Sequence, residues 1–328
     1  MGKPSGIISF NQIPALVQEY NAQWNTRPIA PQSVTAQLCW VRNGVKAEET
    51  IFPVSFWGNA AQKRSRYEQR KHTPPEVVNF SCPIDEFSPD GESIPKGTMV
   101  TDLYGIFEAK LPMIASLGML EPEYRLAEFL GNGQDSVKGV QPYDGLPFFA
   151  TNKRTNPNRV LATNNTFANY NGSLKLDRAG LNTVFQALDT VPGPDGRLFR
   201  LPGRKVVVVS TEDQYVRASR ELFGTIVSQQ TGSAVAGVSN TLQGRADLIY
   251  FPDLNAFDSA KGWMVFKLVS NEFRPIVFSQ VAPPEVYIEG LEANAHSRVT
   301  REVILYGWQH FFGFGYGWPQ LAYKAVEP

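Results

Sequence analysis

The segment YGWQHFFGFGYGW, from Tyr306 to Trp318, alternates aromatic residues with glycines. Neighbouring side chains of a β-strand point to opposite faces, so this alternation predicts a strand. The aromatic rings supply a large area to bury, and the glycines allow another backbone to approach closely. Chain ends fray unless other contacts hold them. We therefore expect this segment to be held by its own domain or by a neighbouring subunit, with Tyr316 and Trp318 as candidate subunit contacts.

The composition restricts the class of protein. A chain of 328 residues is long enough for a large core and two sub-domains. Lys plus Arg and Asp plus Glu both number 31, so the net charge is zero, which argues against a dedicated nucleic-acid-binding protein. The charged fraction is 19%, below the roughly 25% of typical soluble domains. Either a large core or extensive subunit interfaces would explain this low fraction.

The residues that usually carry chemistry are sparse. Two cysteines, Cys39 and Cys82, make no disulfide framework and fit a reducing cytoplasm. The three histidines, His72, His296 and His310, have no zinc-binding spacing. The sequence has no phosphate-binding loop or nucleophile elbow, and no apolar run approaches the roughly 20 residues of a membrane span. It therefore assigns no catalytic, cofactor-binding or metal-binding residue and no membrane partner.

Residues 51–97 are predicted to form a long two-stranded excursion. Prolines recur through this region and exclude long helices, while 51–57 and 76–80 have strand character. Between them lies the basic run KRSRYEQRKH at 63–72. An isolated hairpin is marginal in water, so we expect it to lie on another subunit, although the basic run also fits a solvated face. The candidate contact residues are Trp57, Lys63, Arg64, Arg66, Tyr67, Arg70 and Lys71.

A long helical pattern follows the excursion. Apolar residues recur at helical spacing over 98–130. Pro112 and Pro122 are expected to kink or divide this helix, and Gly131-Asn-Gly133 is expected to end it. Residues 135–172 are rich in Asn, Gly and Pro and are expected to be irregular.

Two more helices are predicted from their N-caps. Asp177 caps a helix whose inward residues are Leu181, Val184, Phe185 and Leu188. Thr211 opens a capping box with Gln214, and the expected inward residues of that helix are Tyr215, Ala218, Leu222 and Ile226.

Strands are predicted at 205–210, 247–251, 262–268, 276–279 and 300–312, and 229–244 is predicted to be a loop of small residues. Helices and strands alternate without a regular repeat, which favours the α+β class.

The chain resembles the major head subunit of Mu-like phages and prophages in three places. The first is the tail, with Tyr306-Gly307, Gly313 to Trp318, Gln320 and Ala322. The second is Tyr143-Asp144-Gly145, followed by Phe148-Phe149, and the third is the helix–loop–strand run over 173–254. Together these cover roughly the last two thirds of the chain. The chain departs from the family at Cys82-Pro83, where an Arg-Asp pair is usual, and at Asn152-Lys153, where a His is usual.

This resemblance implies the tailed-phage capsid fold of the Hong Kong ninety-seven type. The expected parts are an N-terminal arm at 1–50, an extended loop (E-loop) with its flanking strands at 51–97, a peripheral domain with a spine helix at 98–172, an axial domain at 173–280, and a return to the peripheral domain at 281–328. The axial loops of the family gather at the capsomer centre. The residues implied there are Thr231, Gly232, Ser233, Gly237, Ser239 and Asn240; an ordinary flexible surface loop is the alternative.

The resemblance further implies a non-enzymatic protein that assembles into pentamers and hexamers and encloses double-stranded DNA. Expected partners are other copies of the chain, a scaffolding and a portal protein, and packaged DNA contacted without sequence specificity. The expected location is the virion, assembled in the cytoplasm of a bacterial host. Two alternatives stay open, an encapsulin-type shell that packages proteins and a soluble α+β enzyme.

Overall fold

The computed structural model describes residues 18, 33–45, 49–55, 77–89, 92–95, 106–135, 140–151, 154–155, 166–191, 202–231, 234–259, 261–270, 273–289 and 303–328. Most of the arm at 1–50 and the whole basic run, with Trp57, Lys63, Arg64, Arg66, Tyr67, Arg70 and Lys71, lie outside these residues. Gly232 and Ser233 also lie outside them.

The described chain contains helices and both parallel and antiparallel strands, which confirms the α+β class. The helices are α1 (Val34–Leu38), α2 (Ile106–Gly131), α3 (Arg178–Asp189) and α4 (Glu212–Phe223). The strands of the first half are β1 (Cys39–Asn43), β2 (Glu49–Ser55), β3 (Val77–Pro83), β4 (Asp85–Phe87), β5 (Glu92–Pro95), β6 (Arg154–Thr155), β7 (Thr166–Phe167) and β8 (Tyr170–Asn171). Those of the second half are β9 (Arg204–Val209), β10 (Ile226–Thr231), β11 (Ala234–Ser239), β12 (Ala246–Tyr250), β13 (Gly262–Leu268), β14 (Ile276–Gln280), β15 (Glu285–Glu289), β16 (Val303–Tyr316) and β17 (Ala322–Val326).

A six-stranded sheet is organised around β16, the strand predicted from the aromatic–glycine segment. The order is β1-β14-β16-β15, with β4 and β5 also pairing with β16. β16 is antiparallel to each of its four partners, whereas β1 and β14 are parallel. Helix α2 packs against β16. The helix runs unbroken from Ile106 to Gly131, so the expectation that Pro112 and Pro122 divide it is wrong. Contacts between the helix and β16 offset the backbone hydrogen bonds that the prolines remove.

A five-stranded sheet has the order β12-β9-β13-β17-β8. Alternate valines of β9 enter two different cores: Val206 and Val208 join the aromatic residues of the six-stranded sheet, and Val207 and Val209 join helices α3 and α4. A strand buried on both faces needs a continuous apolar run, which explains the four successive valines. The N-caps Asp177 and Thr211 are confirmed by bonds from the backbone N–H groups of the first turns.

The last strand differs from the expectation for 281–328. β15 (Glu285–Glu289) and β16 (Val303–Tyr316) belong to the six-stranded sheet, but Ala322–Val326 pairs with β13 and β8 in the five-stranded sheet. The chain end therefore links the two sheets, and its own domain holds it. The division of the chain into capsid domains itself stays a prediction.

Helix α4 also differs from the expected pattern. Tyr215 was expected to face inward, but it is exposed, and Gln214 is buried in its place. The side chain of Gln214 donates to the Gly262 carbonyl (3.1 Å) and accepts from the Ser210 N–H (3.3 Å), so its polar atoms are satisfied inside. Ile226 does not belong to this helix and starts β10.

Among the described residues, three antiparallel pairs form two-stranded sheets of their own, β2–β3, β6–β7 and β10–β11. β2 pairs with β3 at the base of the predicted excursion, which confirms both strands. β10 pairs with β11 over six residue pairs, so the prediction of a loop is wrong for 229–231 and 234–239, whereas 240–244 forms turns as expected. Small residues made this segment resemble a loop, yet their alternation suits a ribbon. Among the described helices, none is long and apolar enough to cross a membrane.

Candidate functional site

Gly313 and Gly315 leave one face of β16 without side chains, and the backbone of β3 crosses β16 on that face. A Cβ atom added to Gly313 would overlap the carbonyl oxygen of Pro83, and one added to Gly315 would overlap that of Ser81. No residue other than glycine fits where two backbones come this close. The tail strand therefore packs directly against β3 at the base of the β2–β3 ribbon, and the predicted E-loop lies between β2 and β3 in the sequence.

The opposite face of β16 carries the aromatic rings. Phe314 and Tyr316 face helix α2, and Tyr316 stacks on Phe129 at 4.1 Å between ring centroids and on Phe148 at 4.4 Å. The Tyr316 hydroxyl donates to the Phe129 carbonyl oxygen at 2.9 Å. Burial raises the pKa of the Tyr316 phenol far above its usual value, so the hydroxyl stays protonated as a donor.

Trp318, which follows the strand, belongs to a neighbouring apolar cluster with Phe80, Cys82, Val277 and Leu321. It is fully buried and meets Phe80 edge-on, with ring centroids 5.1 Å apart. Tyr143 and Phe273 lie against it at 6.2 and 6.0 Å. Because Tyr316 and Trp318 are buried within their own chain, the expectation that they contact another subunit is wrong.

Asp144 of the Tyr143-Asp144-Gly145 motif forms a buried hydrogen-bond network with Arg154 beside this core. Arg154 is completely buried, and its guanidinium binds both carboxylate oxygens of Asp144, at 2.8 and 2.6 Å. It also donates to the carbonyl oxygens of Pro147 and Phe148, at 2.9 and 2.6 Å. Bidentate pairing and extra acceptors are what a buried guanidinium requires. The motif is thus structural, because it fixes the irregular segment 140–151.

Hydrogen bonds connect this network and its neighbours directly to the tail. The Gln320 side-chain amide donates to the Tyr143 hydroxyl at 2.6 Å. The buried Asn169 amide donates to the Phe148 carbonyl at 2.7 Å and to the Pro319 carbonyl at 3.2 Å. Two of the three segments that carry the family resemblance, 143–149 and 306–322, therefore pack against each other.

The β10–β11 ribbon is fixed at its base by Asn240. The Asn240 side chain donates to the carbonyls of Glu221 (2.6 Å) and Gly224 (2.7 Å), where helix α4 ends, and accepts from the Leu242 N–H (2.9 Å). Of the residues implied for the capsomer centre, Asn240 is therefore a buried anchor. Thr231, Gly237 and Ser239 lie on the ribbon itself, and Ser239 is exposed.

Helix α2 carries an exposed apolar stripe that the sequence pattern did not separate from its buried face. Residues spaced by three or four along a helix share a face. The exposed fractions are 64% for Met113, 49% for Leu117, 57% for Leu120 and 44% for Tyr124. A row of large apolar side chains in water marks an interaction surface.

The buried lysines lie beside carboxylates that are distant in the sequence, so no local pattern indicates these contacts. Lys324 is completely buried, and its amine lies 2.7 Å from Asp258 Oδ1, which is also buried. Desolvation lowers the Lys324 pKa, while the Asp258 charge acts in the opposite direction. Lys267, also buried, shares Asp189 with Lys205. Lysine at alternate positions of a strand normally indicates the solvent face, so only the fold reveals these pairs.

The remaining titratable groups also serve packing. Burial lowers the pKa of His310 to about 4, so its imidazole is neutral, and its Nε2 lies 3.1 Å from Gln280 Oε1. Cys39 and Cys82 are buried free thiols, and burial raises the pKa of Cys82 to about 11. Within the described residues, no group of three or more His, Cys, Asp or Glu side chains is placed to hold a metal ion.

Comparison with known proteins finds similarity in structure alone. No protein-family description matches the chain, and no curated protein matches its sequence. Among solved structures, the capsid of an empty GTA particle is 11% identical with a TM-score of 0.54, over 92% of this chain and 90% of that one. The Cyanophage Pam1 capsid is 13% identical (TM-score 0.52; 92% and 93%), and a structure of Mycobacterium phage Patience is 11% identical (TM-score 0.52; 97% and 87%). The chain thus has the α+β fold of tailed-phage capsid proteins.

Proposed function

We propose that this chain is a major capsid protein of a tailed bacteriophage or prophage, and that copies of it assemble into a closed head. The observation that carries this proposal is the extent of the structural match. It spans about nine tenths or more of both chains for the capsids of a GTA particle and of Cyanophage Pam1. A match of that extent includes the whole architecture rather than one common sub-motif.

The surface of the subunit supports the same function. The stripe Met113–Leu117–Leu120–Tyr124 exposes large apolar side chains. The β10–β11 ribbon forms a separate two-stranded sheet, and such ribbons are marginal in water. Subunits of an obligate assembly bury features like these against one another, commonly over ~2,000 Å² or more. The subunit is therefore suited to permanent contacts with copies of itself.

The finer assignment rests on the residues of the resemblance. The motif at 143–149 and the tail at 306–322 pack against each other, as Phe148 stacks on Tyr316 and Gln320 bonds to Tyr143. This supports a relation to the major head subunit of Mu-like phages. On this proposal the subunits form pentamers and hexamers around double-stranded DNA in the virion. A scaffolding and a portal protein take part in assembly in the host cytoplasm, and the role is structural rather than catalytic.

Electron microscopy of the purified protein, with analysis of particle contents, tests the proposal. We expect closed icosahedral shells, and nuclease-resistant DNA in particles isolated from the natural source. Shells that contain a defined cargo protein and no DNA would support an encapsulin-type compartment. A protein that remains a small soluble oligomer under all assembly conditions would contradict the proposal.

Deleting residues 58–73 tests the role of the excursion. The deletion lies between β2 and β3, whose described residues pair as far as Ser55 and Val77. We expect the shortened chain to remain folded, with a melting temperature close to that of the free parent subunit, but to form no closed shells. The matched control replaces the same residues with a Gly/Ser linker of equal length. Normal particles from both variants would contradict an assembly role for this segment.

A further inference from the structure

The β10–β11 ribbon has two free edges within the described part of the chain. Each of its strands pairs only with the other, and no other described element pairs with either outer edge. A strand with an unpaired edge presents a row of N–H and C=O groups that can pair with another chain. The ribbon is therefore a candidate for strand addition.

The register identifies which backbone groups point outward. Thr231 pairs with Ala234 across a two-residue connection, so these two residues bond to each other, and bonded pairs then alternate along the ribbon. The Asn240 N–H donates to the Thr225 carbonyl at 3.1 Å, which fixes the same alternation at the base. The main-chain N–H and C=O groups of Gln229 and Ala236 therefore bond to each other inside the ribbon. The outward-pointing groups belong to Ile226, Ser228 and Gln230 on β10 and to Val235, Gly237 and Ser239 on β11.

The sequence of the ribbon lacks the devices that usually protect a free edge. Exposed edges are normally guarded by charged side chains, especially lysine, or by proline. Residues 222–244 contain no Asp, Glu, Lys, Arg, His or Pro, although charged residues make up 19% of the chain. This is the composition of strands that pair with other strands. It also argues against DNA as the occupant, because phosphate contacts need cationic groups.

Geometry favours a second copy of the ribbon as the partner. When copies are related by rotation about an axis along the strands, strand direction is preserved. The β11 edge of one copy then meets the β10 edge of the next in antiparallel orientation, which repeats the pairing inside the ribbon. Such a contact is head-to-tail and closes into a ring. Five or six copies of the two-stranded ribbon would give about ten or twelve strands, within the range of closed barrels.

We propose that neighbouring subunits pair through these edges, β11 against β10, so that the ribbons form a continuous hydrogen-bonded ring at the centre of each capsomer. The inference rests on the proposed capsid function and adds the partner and the bonding of this segment. Main-chain pairing depends little on side-chain identity. The same ribbon can therefore pair in rings of different size with small changes of twist.

Proline substitutions test the pairing. Gln230→Pro removes an outward N–H and leaves every bond inside the ribbon, so the free subunit should fold normally. The yield of closed shells should fall about tenfold or more, because the bond is lost at every contact of the ring. Gly237→Pro repeats the test on the other edge. Gln229→Pro is the matched control, since it removes an inward N–H and should disrupt the ribbon in the free subunit itself.

Hydrogen exchange gives a readout without substitution. In the free subunit, the amides of Ser228, Gln230 and Gly237 should exchange fast and that of Gln229 more slowly. In closed shells, the three outward amides should become protected at least tenfold. Closed shells that leave them unprotected, or Gln230→Pro and Gly237→Pro chains that assemble at the parent yield, would overturn the pairing and leave the capsid function standing. A parent chain that never assembles would instead remove the function on which the inference rests.

Discussion

The tail strand β16 and the β10–β11 ribbon both contain glycines, but they differ in how many strands they pair with: among the described residues, β16 pairs with four other strands, whereas β10 and β11 pair only with each other. β16 is covered by β3 on its glycine face and by α2 on its aromatic face. The ribbon forms a separate two-stranded sheet. The difference lies in the residues that accompany the glycines. Aromatic rings supply enough buried area for a stable core within one subunit, whereas Val, Ala, Ser and Gln leave the backbone edges as the main binding groups.

This difference predicts where substitutions act. Changes in β16 and its neighbours should lower the stability of the free subunit, with assembly lost as a consequence. Changes in the ribbon should leave the free subunit largely intact and act on assembly. The predictions below test this separation.

The largest effect is expected for Gly315→Val. A Cβ at this position overlaps the carbonyl oxygen of Ser81, so a backbone must move. The cost should exceed the ~1–3 kcal/mol of ordinary overpacking and approach the ~5–15 kcal/mol stability of a whole domain. We expect insoluble or unfolded protein, as judged by circular dichroism of the purified chain.

Gly244→Ala is the control for this change. Gly244 has a φ of +69°, but an added Cβ meets nothing within 4 Å. Alanine there carries only the conformational cost of about 1–2 kcal/mol. If Gly315→Val melts no lower than Gly244→Ala, the close approach of β3 to the tail is not a constraint on this fold.

Trp318→Ala should have the next largest effect. Trp318 is fully buried against Phe80, Tyr143 and Phe273. Truncation of such a residue costs ~3–5 kcal/mol, measurable by denaturant unfolding of the free subunit. Tyr215→Ala, at an exposed aromatic residue, should cost much less. Equal losses for the two variants would mean that the tail is not part of the subunit core.

Much of this core could be predicted from the sequence, because its signals are local. The aromatic–glycine alternation predicted β16, the run of valines predicted β9, and Asp177 and Thr211 predicted the starts of α3 and α4. Each of these signals depends on residues a few positions apart, so the pattern and the structure it specifies lie in the same segment.

Features that depend on distant residues could not be predicted. Nothing near Lys324 indicates that Asp258 will neutralise it in the interior, or that 322–326 will pair with β13. Gln214 is buried in place of Tyr215 because Gly262 and Ser210 satisfy its amide. The sequence predicts a loop where the ribbon lies because small uncharged residues give a weak strand signal.

Acid should weaken the β16 side of the molecule through His310. Burial lowers the pKa of His310 to about 4, below the ~6.5 of an unfolded chain. The unfolded state therefore binds the proton first. The stability that depends on a neutral His310 is complete above pH ~6.5 and is lost as the pH falls towards 4, by about 3 kcal/mol in total.

The measurement is denaturant unfolding of the free subunit between pH 7 and pH 4. His310→Gln is the matched variant, because it keeps a hydrogen-bonding group near Gln280 but does not titrate. The variant should be less stable at pH 7 and should lose less stability on acidification than the parent. Parallel pH profiles for the two chains would exclude His310 as the titrating group.

The smallest effect on the free subunit, and the sharpest test of the comparison, is expected for Asn240→Ala. The substitution removes the bonds to the carbonyls of Glu221 and Gly224 that fix the base of the ribbon. Loss of such bonds costs about 1–2 kcal/mol, which is small beside the burial in the three core clusters of the described subunit. The ribbon would then lose its fixed direction relative to α4, so the yield of closed shells should fall more than the stability of the free subunit does.

Ser239→Ala, at the exposed neighbour, should change neither the shell yield nor the stability of the free subunit. For Asn240→Ala, a loss of stability as large as that of Trp318→Ala would show that the ribbon belongs to the subunit core, and an unchanged shell yield would show that its direction does not matter for assembly. Either result would remove the distinction between a strand completed within its own chain and a ribbon completed by a neighbouring copy.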